Sequence, residues 1–204
     1  LLAAAAWLAR NEAQRERVRA EAEAETARQT TRFMVDLFKV SDPSEALGNS
    51  ITAREILDKG AARIERELAD QPTIQATLMD TMGTVYTSLG LYDQAIPLIR
   101  GALDKRSSAL GQENDEVAQS LNHLGEVLAL DADYGEAEKK LREALEIRRK
   151  AQGPRSAEVA TTLTALADVL SRKGEYDAAE PLISEALSIR QSLYTGAHPA
   201  LAES

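Results

Sequence analysis

Two histidines, 33 acidic side chains against 24 basic ones and no cysteine set the limits of the chemistry available to this 204-residue chain. His123 and His198 are isolated in sequence. His123 adjoins Leu124 in an apolar-periodic stretch, which marks it as a structural residue and not a ligand or a base. His198 precedes Pro199 in a loop between helical runs. Glu136/Glu138 and Glu21/Glu23/Glu25 are paired acids, but catalytic carboxylates need a pocket that shifts their pKa values, and these stretches read as solvated helix faces. Without cysteine there is no disulfide framework, thiolate metal site or thiol nucleophile. The chain has no glycine-rich phosphate loop, no His-Arg-Asp and no Asp-Phe-Gly. The expectation is a non-enzyme with neither cofactor nor metal. A net charge of −9 argues against nucleic acid as a partner, because such affinity comes mainly from neutralising phosphates.

The elements that hold these residues form one pattern written three times, over 74–115, 116–157 and 158–199. Seven columns carry the same residue in all three copies at a spacing of 42. They include Ala76/Ala118/Ala160, Tyr92/Tyr134/Tyr176, Ala95/Ala137/Ala179 and Arg106/Arg148/Arg190. A fixed period of this size points to an all-α solenoid whose units bury their apolar faces on one another. Within the third copy Val159, Leu163, Leu166, Ala167 and Leu170 recur on one helix face. Lys173-Gly174-Glu175 breaks that run, Gly174 being suited to a left-handed turn, and a second run starts at Tyr176. Each unit is therefore a helical hairpin. First helices are expected over 74–89, 117–130 and 159–172, and second helices over 92–110, 135–152 and 176–194. Ala167 and Ala179 are the small residues that allow close crossing, and Gly83 and Gly125 stand in the Ala167 column.

Met82-Gly83-x-x-Tyr86, followed by Gly90-x-Tyr92-x-x-Ala95, Ile99 and Ala102, resembles the tetratricopeptide signature. Leu124-Gly125, Leu128, Tyr134, Ala137, Leu141 and Ala144 resemble it a second time. The long period is similar to the kinesin-light-chain type. The early tryptophan of the signature is absent, with Met79, Leu121 and Leu163 in its place, and Ala132 stands where Gly90 and Gly174 do. The resemblance implies a right-handed superhelix of antiparallel helix pairs whose first helices line a groove. Carried onto this chain, the groove columns are Thr77, Asp80, Thr84 and Thr87; then Gln119, Asn122, Glu126 and Ala129; then Thr161, Thr164, Asp168 and Ser171. Asp80, Glu126 and Asp168 would favour an extended peptide carrying Lys or Arg. Arg106, Arg148 and Arg190 could form a basic ladder on another face or pair with acids between repeats.

Ahead of the array, residues 1–9 are wholly apolar and run into Arg10, Arg15, Arg17 and Arg19. That order is how a span often meets the membrane interface, although crossing a bilayer takes about 20 residues. The segment is expected to be the end of a transmembrane helix, followed over 10–31 by a long charged stalk helix with pairs such as Arg17/Glu21. Residues 32–73 read as a degenerate capping repeat: a bulky cluster at 33–40, a break at Ser41-Asp42-Pro43, then a helix from about Thr52. Residues 200–204 begin a fourth copy. The order of these segments, down to Thr52-Ala53-Arg54-Glu55-Ile56-Leu57-Asp58-Lys59-Gly60, is similar to the region after the transmembrane helix in many bacterial serine/threonine kinases. Related arrays also close some bacterial transcriptional regulators. The resemblances imply a protein-interaction scaffold, the docking or sensing tail of a membrane-anchored kinase. The alternatives are a self-association module forming homo-oligomers, or a regulator's tail.

Overall fold

The structure, a computed structural model, describes residues 53–193 without interruption and, before them, 24–33 with Gln14, Arg17, Val18, Ala20, Glu21 and Val35. Every regular element among the described residues is a helix. The chain divides into two units, Leu1–Ala69 and Asp70–Ser204. In the first unit a helical stretch over 24–33 (α1) is mostly exposed. Upstream of it, the expected Arg17–Glu21 pair closes at 2.9 Å. The second helix, α2 (Ala53–Glu67), carries Arg63, whose guanidinium lies 5.3 Å from the centre of the Phe33 ring. A cation over an aromatic face is attracted by the ring's negative centre.

Among the described residues the second unit holds six helices: α3 (Pro72–Ser88), α4 (Tyr92–Leu110), α5 (Asp115–Leu130), α6 (Tyr134–Gln152), α7 (Ala157–Arg172) and α8 (Tyr176–Leu193). Tyr92, Tyr134 and Tyr176 each open a second helix, so those starts repeat every 42 residues (134 − 92 and 176 − 134). Pro72 sits in the first turn of α3, where its missing N–H costs nothing. Asn114, Asp133 and Ser156 cap α5, α6 and α7, each accepting a backbone N–H of the first turn. These caps satisfy donors that a helix start leaves without a partner. Gly111 and Gly153 stop α4 and α6 at positive φ.

The helices pack as neighbouring pairs, α3 on α4, α5 on α6 and α7 on α8, and successive pairs join through α4–α5 and α6–α7. Ala95, Ala137 and Ala179 are buried, and the carbonyls of Ala95 and Ala137 lie against Gly83 and Gly125 of the paired helix. A Cβ added at Gly83 would meet Ile99 Cγ1 at 2.4 Å, and one at Gly125 would meet Leu141 Cγ at 2.6 Å. The mid-helix glycines are thus explained by space: each lets a first helix close onto its own second helix. Their cost of about 1 kcal/mol against alanine is offset by that packing.

The expectation of a membrane anchor is corrected here. No helix among the described residues is long and apolar enough to cross a membrane, and residues 1–9, which prompted the expectation, lie outside them. Most of the 33–40 cluster, the start of a fourth copy at 200–204, and His198 also lie outside the described residues.

Candidate functional site

The twelve groove residues, four columns in three copies, differ in what their side chains do. The threonines spend their hydroxyls on their own helix. Thr77 donates to the Thr73 carbonyl at 3.0 Å, Thr84 to that of Asp80 at 2.8 Å, Thr161 to Ala157 at 3.0 Å and Thr164 to Ala160 at 2.9 Å. Such back-bonding is the usual fate of a threonine inside a helix. Gln119 and Thr161 are exposed, and Ala129 is buried.

Asp80 and Asn122 belong to the interior. Asp80 is 4% exposed and Asn122 3%, so neither side chain is open to a passing peptide as the groove reading expected. Asp80 Oδ2 lies 2.9 Å from His123 Nδ1 and 3.3 Å from Arg106 Nη1, and its Oδ1 accepts from Ser120 Oγ at 3.3 Å. Burial pushes the Asp80 carboxyl upward, but the hydrogen bond and charge of His123, with Arg106 and Ser120, outweigh it and hold it below the usual range. The same contact works in reverse on His123. Burial lowers its pKa, the Asp80 hydrogen bond and charge raise it more, and the net direction is up. His123 thus joins α5 to Asp80 on the first helix of the preceding pair.

The arginine column is the organising feature that the sequence left open between two readings. Arg106 and Arg148 are 3% and 6% exposed, and Arg190 is buried as well. Arg106, on α4, donates through Nη1 to Ser120 Oγ at 2.7 Å and to the Glu116 carbonyl at 3.3 Å, both on α5. Arg148, on α6, donates through Nη1 to Thr162 Oγ1 at 2.6 Å and the Glu158 carbonyl at 3.1 Å on α7. It also reaches back to Asn122 Oδ1 at 3.4 Å. Arg106 and Arg148 thus each tie their own pair of helices to the first helix of the next pair. The column is a set of internal rungs. Asp80 and Asn122 complete the rungs from one side, Ser120 and Thr162 from the other. The hydroxyl partners were missed in the sequence, although Arg106–Ser120 and Arg148–Thr162 share one separation of 14 residues.

Two of the acids remain available. Glu126 is half-buried and accepts from Asn122 Nδ2 at 2.7 Å. Asp168 is exposed and pairs with Arg172 at 2.7 Å on its own helix. Glu126 and Asp168 line one open cavity of about 270 Å³, with Ala129, Leu130, Ala165 and Val169 as its apolar walls. Among the described residues no cluster of His, Asp and Glu is arranged to hold a metal ion.

With the helix pairs and their rungs in view, the class is defined: a family model described as tetratricopeptide repeat matches residues 73–150 and 116–192, and the chain belongs to that family. Among solved structures, the fold is similar to the crystal structure of BtubC (BKLC) from P. vanneervenii. The TM-score is 0.63 at 22% identity, over 85% of this chain and 74% of that one. It is also similar to the crystal structure of a putative kinesin light chain from Podosopora anserina with nearly identical TPR-like repeats. There the TM-score is 0.57 at 16% identity, over 74% and 75% of the two chains. At these identities the likeness concerns the fold alone. No curated protein matches as a relative. Tetratricopeptide arrays are non-catalytic scaffolds that mediate protein–protein interaction.

Proposed function

We propose that this scaffold binds an extended, basic-leaning peptide along α3, α5 and α7, with Glu126 and Asp168 as the acidic centre of the groove. The observation that carries the reading is the shared cavity of these two side chains: two carboxylates over apolar walls suit the aliphatic stem and charged head of a lysine or arginine. Gln119 and Thr161, both exposed, would extend the contact along the neighbouring column. A ligand cation must displace the exposed Arg172–Asp168 pair, and exposed pairs of that kind are worth only about 0–1 kcal/mol. Several such contacts are needed for useful affinity, which favours an extended ligand over a single residue.

The order of segments ahead of the array supports placing the scaffold as the docking tail of a bacterial serine/threonine kinase. A peptide-array screen against the wild type and an E126A/D168A variant tests the groove. Asp80 is left intact, because its loss would strand Arg106. The variant should retain its helicity and lose most basic peptides. Equal binding of the same peptides by both proteins would place the interaction elsewhere.

A further inference from the structure

A larger cavity, about 400 Å³, lies outside the groove, between the second helices α4 and α6 and over the start of α5. Its floor is apolar, made by Leu103, Val117, Leu121 and Ile147. Four carboxylates line it, Asp104, Glu113, Glu143 and Glu146, against one cation, Lys140. The size is in the range of ligand sites, roughly 300–1,000 Å³.

The next repeat shows what this position accepts. Moved by the 42-residue period, the floor becomes Leu145, Val159, Leu163 and Ile189, identical in type at every position, and Glu143 becomes Glu185. There the chain supplies its own guanidinium: Arg149 Nη2 on α6 donates to both Glu185 carboxylate oxygens on α8, at 2.7 and 2.9 Å. In the first cleft the residue at the Arg149 position is Ser107, too short to reach Glu143. Lys140 touches Glu143 Oε2 at 3.2 Å from the same helix, and its counterpart in the next repeat is Leu182. Glu113 pairs with Lys150 at 3.1 Å, both side chains being well exposed.

We propose that the α4–α6 cleft docks an arginine of a partner protein, its stem on Leu103 and Ile147 and its guanidinium on Glu143, as Arg149 sits on Glu185. The partner is a peptide segment carrying an arginine between apolar residues. Arginine is preferred over lysine because its planar fork can engage a carboxylate through two N–H groups while its stem covers apolar surface. This surface is distinct from the groove along the first helices, and the two readings stand or fall separately.

The test is a ¹⁵N NMR titration of the folded chain with the blocked tripeptide acetyl-Leu-Arg-Leu-amide and its citrulline counterpart. The arginine peptide should shift the amides of Leu103, Val117 and Ile147, and citrulline should weaken the effect at least about fivefold. Ser107→Arg, which supplies the guanidinium internally, and Glu143→Gln should each weaken binding by a similar factor, while Lys140→Leu should strengthen it a few-fold. Melting of the Ser107→Arg variant at or above the wild-type temperature confirms that the loss is not unfolding. Titrations unchanged by both Ser107→Arg and Glu143→Gln would overturn the proposal. Shifts confined to the surroundings of Glu126 and Asp168 would also overturn it, and would leave the groove reading standing.

Discussion

Arg106 on α4 and Ser120 on α5 are joined by a 2.7 Å hydrogen bond that crosses from one repeat to the next, and Arg148 and Thr162 repeat it at 2.6 Å. The two rungs differ in what backs them. Arg106 faces the carboxylate Asp80, Arg148 the amide Asn122.

That difference gives an ordering of stabilities. Arg106→Ala leaves a buried carboxylate without its guanidinium and should cost about 3–5 kcal/mol. Arg148→Ala strands the neutral Asn122 and Thr162 and loses a long 4.0 Å contact with the half-exposed Asp115, at about 1–3 kcal/mol. Urea unfolding of both variants checks the order. Equal losses, or a larger one for Arg148→Ala, would show that the Asp80 charge does not govern the first rung.

The Asp80–His123 contact should make stability depend on pH at both ends. His123 is raised above its ordinary 6.5 by Asp80 despite burial, so its contribution is complete below about 6.5 and fades as pH rises through the folded value. Asp80 is lowered from its ordinary 3.8, so its contribution is present above that value and fades as pH falls through the folded one. Arg106 and Glu126 flank the pair and act on His123 in opposite senses, Glu126 raising and Arg106 lowering its pKa. Thermal melts from pH 5.5 to 8.5 should show the wild type losing stability relative to His123→Gln as pH rises. Parallel curves would mean that His123 is not coupled to folding.

The helices and their pairing were legible because the repeat supplies three readings of each position. Tyr92, Tyr134 and Tyr176 could not share a column without sharing a place in the fold, and each opens a helix. Gly83 and Gly125 were legible as close crossings for the same reason. The site was less so. Asp80 stands in a column that faces the groove in related arrays, and its type says only that it is polar. Its withdrawal into the interior is decided by His123 and Ser120, 43 and 40 residues away on the next first helix. Ser120 and Thr162 gave no signal because their column holds apolar Leu78 in the first copy, and a hydroxyl on an apolar face has many uses.

Ala132 offers a small gain. It occupies the turn where Gly90 and Gly174 sit at φ of 71° and 81°, and takes φ of 65° itself. A side chain in the left-handed region costs about 1–2 kcal/mol, partly offset by the lower entropy of an unfolded alanine. Ala132→Gly should therefore stabilise by about 0.5–1 kcal/mol. Gly174→Ala should destabilise by about 1 kcal/mol, since a Cβ there meets nothing within 4 Å and the cost is conformational alone. Chemical denaturation measures both, and a loss in Ala132→Gly would show that the turn is not strained.

Gly125 sets the opposite problem, a site where conformation favours alanine and space forbids it. Alanine would gain about 1 kcal/mol in helix propensity. Its Cβ, however, would lie 2.6 Å from Leu141 Cγ, 2.9 Å from Leu141 Cδ2 and 3.2 Å from the Ala137 carbonyl oxygen. The leucine could turn aside, but the carbonyl is backbone, so α5 and α6 must move apart. Overpacking of this kind costs about 1–3 kcal/mol and should exceed the propensity gain. Ala137→Leu, on the other side of the same crossing, should lose a similar amount, and the two changes together should be less than additive because both relieve themselves by the same separation of helices. Melting temperatures of the two single variants and the double one test the argument. A stabilised Gly125→Ala, or strict additivity, would mean that the crossing has room that these distances deny.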